Sequence, residues 1–398
     1  MDEMEELFGE TADGLFAVDQ NQRIVLWTAA AETLTGIKAR DALGHPCHIL
    51  EGRDEWGESI CTKDCHIFQA LRQGQPPPSD DLIVRRPDGR QVRMTFSVIP
   101  LQKGSAQAII IFRENRLRGW QEIVDRATAQ LPTPPPTAAL HVRLLGPLSL
   151  ILQGCSLDSP PLTRPKVQKA LKYLLAHYDR KVPKEVLMEF LWPEEDEEMG
   201  YRNLRVLVHT LKGALEPHRP PHQPSHFIGQ EGGCYFFRMD AGVWIDVDAF
   251  QKHLREGEEA EKQGSPAQAI IHYEAAASLY RGEYLEEDLY EDWCAAERER
   301  LKELYISLLT KLSAFYAAAG HYEGAIDRLR QALAKDPCRE SLHRNLMRYL
   351  WWAGQDTEAL RQYEACRRSL AEELGIAPLP ETTRLYQRIA QDLGDRRP

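Results

Sequence analysis

The 398-residue chain carries 49 Lys and Arg against 60 Asp and Glu, a formal net charge of −11, with 43% hydrophobic and 27% charged residues. These are the proportions of soluble globular domains, over a length too great for one core, so two or three domains are expected. No apolar run approaches the roughly 18 residues of a membrane-spanning helix, and the acidic balance excludes a uniformly basic nucleic-acid binder while allowing a local basic patch.

The opening MDEMEELFGE is acidic and lacks the features of a signal peptide, so a cytoplasmic location is expected. GLFAVD (14–19) and RIVLWT (23–28) flank the polar turn QNQ as a hairpin. AAAETLTGI (29–37) follows as a short helix closed by Gly36. DDLIVRRPDGRQVRMTFSVIPL (80–101) folds back about its PDG turn. QAIIIFRE (107–114) adds a strand, and RLRGWQEIVDRATAQ (116–130) is an amphipathic exit helix. Two strands, short helices and three antiparallel strands in this order resemble a PAS sensor domain, most clearly over GLFAVDQNQRIVLWTAAAETLTGI. The resemblance implies a five-stranded antiparallel sheet with a pocket, used for sensing or for dimerisation through the exit helix.

ATAQLPTPPPTAAL (127–140) holds four prolines and no charge, a stiff linker. LHVRLLGPLSLIL (140–152) alternates like a strand pair. RPKVQKALKYLLAHYDR (164–180) and VPKEVLMEFLW (182–192) read as helices, with Pro183 suited to the first turn of the second. A third helix spans YRNLRVLVHTLKGALEP (201–217), and HFIGQEGGCYFFRM (226–239) reads as a hairpin. Three helices and a hairpin behind an N-terminal sheet make a winged helix-turn-helix.

The third helix has two faces. On a wheel of roughly 100° per residue, Leu204, Leu207, Val208, Leu211 and Leu215 form a core-facing stripe. Arg202, Arg205, His209 and Lys212 form a separate cationic arc, and no acid lies between 201 and 215. A solvated helix whose cations happen to align would look the same in isolation. In a recognition helix the arc would meet DNA, Arg reading guanine edges and Lys or His holding phosphates. Asn203 could read adenine from outside the arc, Arg238 on the wing could hold adjacent phosphates, and Lys166 and Lys169 on the first helix could touch the backbone. The stretch PEEDEE (193–198) puts five carboxylates just before this helix, either as a dipole-favoured helix start or as a surface for RNA polymerase. From 139 to 249 there are 13 Lys and Arg against 14 Asp and Glu, so weak non-specific affinity is expected.

GHYEGAIDRLRQALAKDP begins at Gly320, and GQDTEALRQYEACRRSL begins at Gly354, 34 residues later. Ala325 and Ala359, Leu329 and Tyr363, and Ala332 and Cys366 share that offset, and GSPAQAIIHYEAAASLY from Gly264 repeats the phase. This is the tetratricopeptide period, with small residues where paired helices cross.

VRLLGPLSL, KALKYLLAH, LMEFLW, NLRVLVHTLKGALE and GGCYFF, followed by the helical block ending LAEELGIAPLPETTRLYQRI, resemble the antibiotic-regulatory-type bacterial activators. That family joins an OmpR/PhoB-like winged helix to a bacterial transcriptional activation domain. The expected organisation is multidomain α+β: a PAS domain over 1–115, an exit helix and linker over 116–139, a winged helix-turn-helix over 140–248, and an all-α tetratricopeptide-like domain over 249–392. The resemblance implies promoter DNA and RNA polymerase as partners and a homodimer as the binding form, with no membrane partner.

Three cysteines, Cys47, Cys61 and Cys65, cluster in the sensor with spacing C-x13-C-x3-C, beside His48 and His66. They are open to three readings: buried thiols, ligands of zinc or an iron–sulfur cluster, or a disulfide switch. Cys155, Cys234, Cys294, Cys338 and Cys366 are scattered, the last at a small repeat position expected in the core. HRPPHQPSH (218–226) reads as a loop before the wing. No phosphate loop, GxSxG or HExxH occurs, so the chain is read as a non-enzyme. The function expected is a cytoplasmic one-component, sequence-specific DNA-binding transcriptional regulator, an activator by this resemblance, whose PAS domain senses a redox, metal or small-molecule signal. The alternative is a signalling adaptor that binds proteins through its tetratricopeptide surface without recognising DNA.

Overall fold

The computed structural model describes residues 13–54, 58–63, 65–73, 75, 80–101, 106–114, 123, 138–157, 159–220, 223–239 and 242–394. The expected exit helix and Pro-rich linker lie outside the described residues, except Ile123, which is helical, and Ala138 and Ala139 at the linker's end. The chain packs as two compact units, Met1–Gln121 with Leu309–Pro398, and Glu122–Leu308. Among the described residues no helix is long and apolar enough to cross a membrane.

In the first unit, β1 (Gly14–Val18), β2 (Ile24–Trp27), β3 (Asp80–Arg85), β4 (Gln91–Pro100) and β5 (Ala108–Glu114) form one antiparallel sheet in the order β2-β1-β5-β4-β3. Period-2 alternation sends Phe16, Val18, Trp27, Phe96 and Phe112 to one face, where Phe96 stacks on Phe112 at 5.3 Å. Leu15, Ala17, Leu26 and Ile109 pack on the other. The helices α1 (Ala29–Thr35), α2 (Ala39–Ala42) and α3 (His66–Arg72) complete the PAS fold. Thr28 caps α1 by accepting from the Ala31 N–H, and Gly36 ends it at φ 74°.

In the second unit, β6 (Leu140–Arg143), β7 (Ser149–Leu152) and β8 (Cys155–Ser156) begin the N-terminal sheet. They are followed by α4 (Pro165–Ala176), β9 (Val182–Pro183), α5 (Lys184–Leu191) and α6 (Glu197–Leu215). The wing is β10 (Ile228–Glu231) and β11 (Cys234–Phe237), and β12 (Val243–Ile245) returns to pair parallel with β6. Two boundaries differ from the sequence reading. Val182 and Pro183 form a strand paired with the wing, because Pro183 is extended at ψ 145° and tolerates a sheet edge. Helix α6 begins at Glu197, one turn early, because Asp196 accepts the Met199 N–H at 2.9 Å and Glu197 and Glu198 suit the positive helix end. The wing turns on Gly232 and Gly233, both at positive φ, as a tight two-residue hairpin requires. Then come α7 (Asp246–Lys262), α8 (Pro266–Leu279) and α9 (Ala295–Ala318), whose residues from Leu309 belong to the first unit. Buried Asp246 accepts from the Leu144 and Leu145 N–H groups at 2.8 and 3.0 Å, tying the start of α7 to the N-terminal sheet.

Back in the first unit lie α10 (Tyr322–Lys335), α11 (Glu340–Trp352), α12 (Asp356–Glu373) and α13 (Pro380–Gly394). Gly264, Gly320 and Gly354 share φ values of 70–78°, and Ala269, Ala325, Ala359 and Cys366 are fully buried, so the repeat phase read from sequence is the packing phase.

Candidate nucleic-acid interface and sensor cavity

Helix α6 buries Leu204, Leu207, Val208, Leu211 and Leu215 against its own domain. On the opposite side Arg202, Arg205 and His209 are exposed, while Asn203 and Lys212 are half-buried. The arc is less uniform than its sequence. Arg202 pairs with Glu198 one turn earlier at 3.3 Å, and the Asn203 amide donates to Glu195 at 2.6 Å. The acidic run before the helix therefore engages its first turn. Arg205 pairs with no carboxylate among the described residues; its guanidinium lies 6.0 Å from the Tyr201 ring centre. Burial, with Arg219 and Arg238 nearby, lowers the Lys212 pKa against the opposing pull of Glu216. Arg238 leaves the wing with its guanidinium over Phe236 at 5.3 Å, and its Nε is buried without a hydrogen-bond partner among the described residues.

Sequence reasoning missed several members of this surface. Val206, 63% exposed, projects beside the arc. Lys184 sits over Tyr201 at 4.8 Å, and Lys181 over Phe236 at 5.5 Å while pairing with Glu231. The cation–π contacts are its only signal, and they need the fold. Conversely, Lys166 and Lys169 have partners within the protein. Lys166 donates to the Leu191 carbonyl, and Lys169 pairs with Glu291 at 2.9 Å. Lys166 is held at the end of α5, and Lys169 by a carboxylate of the segment after α8.

In the PAS domain, Cys47, Cys61 and Cys65 line one apolar cavity of about 40 Å3 with Phe16, Phe68 and Phe96. Desolvation pushes the Cys47 thiol up to about 12 and Cys61 to about 11. Among the described residues the three sulfurs do not gather within 4.8 Å of one another as a shared ligand set would. In this arrangement the three thiols line one cavity without converging on one point. Cys61 lies against Gly52, where a Cβ would meet its Sγ at 2.6 Å, and its N–H donates to the Gly52 carbonyl at 3.0 Å. Next in the chain, Arg53 donates to Asp392 of α13 at 3.0 Å; Arg85 of β3 donates to the same carboxylate at 3.0 Å. Cys61, Arg53, Arg85 and Asp392 share a cleft of about 690 Å3.

Comparison with known proteins agrees with this architecture. Residues 2–114 match the PAS fold, and residues 245–390 match the bacterial transcriptional activator domain. The chain is 26% identical over 255 residues to the transcriptional regulatory protein MoaR1 of Mycobacterium tuberculosis, covering 64% of this chain and 80% of that protein. It is 30% identical over 256 residues to the regulatory protein AfsR of Streptomyces coelicolor, covering 64% of this chain but only 24% of that relative. The chain thus joins a PAS fold to a bacterial transcriptional activator domain and is similar over 64% of its length to transcriptional regulatory proteins. A solved structure of Mycobacterium tuberculosis EmbR in complex with a low-affinity phosphopeptide shares the fold at TM-score 0.53 and 24% identity, over 64% of this chain and 65% of that one. The relatives are regulators rather than enzymes, so this chain is a transcriptional regulator and a non-enzyme.

Proposed function

We propose that this regulator binds promoter DNA sequence-specifically through α6 and the wing, acts as an activator, and takes its signal through the PAS domain. The observation that carries the reading is the single-signed surface of exposed Arg205 and His209 with half-buried Lys212 and Arg238, opposite a buried apolar stripe on α6. Arg205 is placed to read a guanine edge and Val206 to meet a thymine methyl. His209, Lys212, Arg238, Lys181 and Lys184 hold phosphates. With a near-neutral domain, two copies on repeated half-sites supply the affinity that one lacks. Glu194 and the other exposed acids before α6 are offered to RNA polymerase. Full-length protein incubated with fragmented genomic DNA should enrich promoter regions sharing a repeated motif. Absence of enrichment at low salt, or an unchanged motif and affinity with Arg205→Ala, would overturn the assignment.

The sensor reading follows from size. A cavity of about 40 Å3 admits one or two small molecules, whereas organic ligands occupy roughly 300–1,000 Å3. A diatomic molecule such as dioxygen is therefore the signal that suits this cavity. Its outlet is Cys61, which touches both the cavity and the cleft where Arg53 and Arg85 grip Asp392. Oxygenated and anaerobic buffers should give different DNA affinities for the wild type and the same affinity for Cys61→Ser and Asp392→Asn. An equal response in all three would refute this route.

A further inference from the structure

The helices α7 and α8 bring together three side chains that the regulatory reading does not use. His253 and Glu256 lie one turn apart on α7, and His272 faces them from α8 across the turn at Gly264. His253 Nδ1 is 3.3 Å from Glu256 Oε2, His272 Nδ1 is 3.2 Å from the same oxygen, and the two Nδ1 atoms are 3.4 Å apart. Among the described residues this is the one group of three such donors converging within 4.8 Å.

We propose that His253, Glu256 and His272 form a binding site for a divalent transition-metal ion of the zinc type. The three separations, 3.2–3.4 Å, are nearly equal. Ligands at about 2.0–2.1 Å around a tetrahedral zinc are spaced by about 3.3 Å, whereas an octahedral set at the same bond length would lie closer, near 3.0 Å. The donors therefore trace one face of a zinc tetrahedron. A plain ion pair would need only one imidazole on the carboxylate; here two turn the same nitrogen toward one oxygen. The other oxygen, Oε1, faces Lys252 at 3.7 Å, which leaves Oε2 to the imidazoles. The side chains are 22–37% exposed, so an ion can enter and water can take the fourth position. The register that makes the site comes from Gly257: a Cβ there would stand 2.3 Å from the Tyr273 ring, so the helices meet closely beside Glu256 and His272.

The ion would cross-link α7 to α8. Because α7 starts at Asp246, which holds the backbone of the N-terminal sheet, the cross-link would stiffen the base on which the winged helix is built.

The test uses full-length, tag-free protein stripped with a chelator. Zinc titration against a chromophoric chelator should give one equivalent bound to the wild type, a raised melting temperature, and loss of both in His253→Gln and His272→Gln. The variants' circular dichroism and metal-free melting should match the stripped wild type. Cobalt substitution should give visible d–d bands of a four-coordinate nitrogen–oxygen site, and binding should persist in Cys47→Ser, Cys61→Ser and Cys65→Ser. No binding by folded wild type, binding that survives both histidine variants, or an ultraviolet thiolate-to-cobalt band lost only in the cysteine variants would each overturn the proposal.

Discussion

Helices α4 and α6 both display cations at helical spacing, and the structure uses them in opposite ways. On α4, Lys169 pairs with Glu291, and Lys172, only 2% exposed, pairs with Glu287 and Asp288 at 2.6 Å each. On α6, Arg205 and His209 stay exposed. What separates the two is not the cations but where their counter-charges lie. The acids that meet α4 come from 115–122 residues away, while those hydrogen-bonded to α6 side chains among the described residues, Glu195 and Glu198, lie just before or in its first turn and hold Asn203 and Arg202. A cationic stripe points to a polyanion only after the fold has spent its own acids, and on α6 it leaves Arg205 unspent.

The sharpest way to break that contrast is to remove one cation from each helix. Lys172→Ala strands two carboxylates at a buried junction and should destabilise the unit by about 3 kcal/mol, the lower end for broken buried pairs because Glu287 and Asp288 are partly solvated. Urea denaturation of the full chain measures it. Arg205→Ala should leave the denaturation midpoint unchanged and weaken specific DNA binding by about 1–3 kcal/mol, read by titration of a promoter site. If Lys172→Ala proved as stable as the wild type, or Arg205→Ala cost stability instead of affinity, the division of labour between the helices would fail.

The contrast also marks how far the sequence could be read. The PAS sheet was legible because its strands alternate and its turns carry PDG and QNQ, both local signals. The 34-residue phase of Ala325 and Ala359 was legible because helix crossings need small residues at a fixed period. The core stripe and exposed arc of α6 followed from periodicity alone. What stayed hidden depends on pairs distant in sequence. Lys169 reads as a backbone contact until Glu291 arrives. Arg53 and Arg85 give no sign of reaching Asp392, 339 and 307 residues on. Val182 and Pro183 read as helix until the wing supplies a strand for them to pair with. The three sensor cysteines share a cavity as their clustering implies, yet spacing could not say that their sulfurs would not all converge within 4.8 Å.

A smaller effect separates the structural part of the acidic run from any interaction role. Asp196 caps α6, so Asp196→Ala should cost about 1 kcal/mol of stability and Asp196→Asn much less, because asparagine caps equally well. Thermal melts of the two variants measure the cap. If transcription in a reconstituted polymerase assay falls with Asp196→Asn while melting does not, the run has a partner beyond its own helix.

The smallest expected change tests Arg202. Its ion pair with Glu198 is exposed and spaced i,i+4, so it contributes little to stability. It nevertheless competes with DNA for the guanidinium. Glu198→Gln should leave melting unchanged and tighten specific binding by about twofold, the scale of one exposed helical pair, with the steeper salt dependence of one more free cation at the phosphates. Combining Glu198→Gln with Arg202→Ala must abolish that gain if it travels through Arg202. Should the double variant keep the tighter binding, the gain comes from removing a negative charge near DNA, and Arg202 belongs with the internally committed lysines of α4 instead of with Arg205.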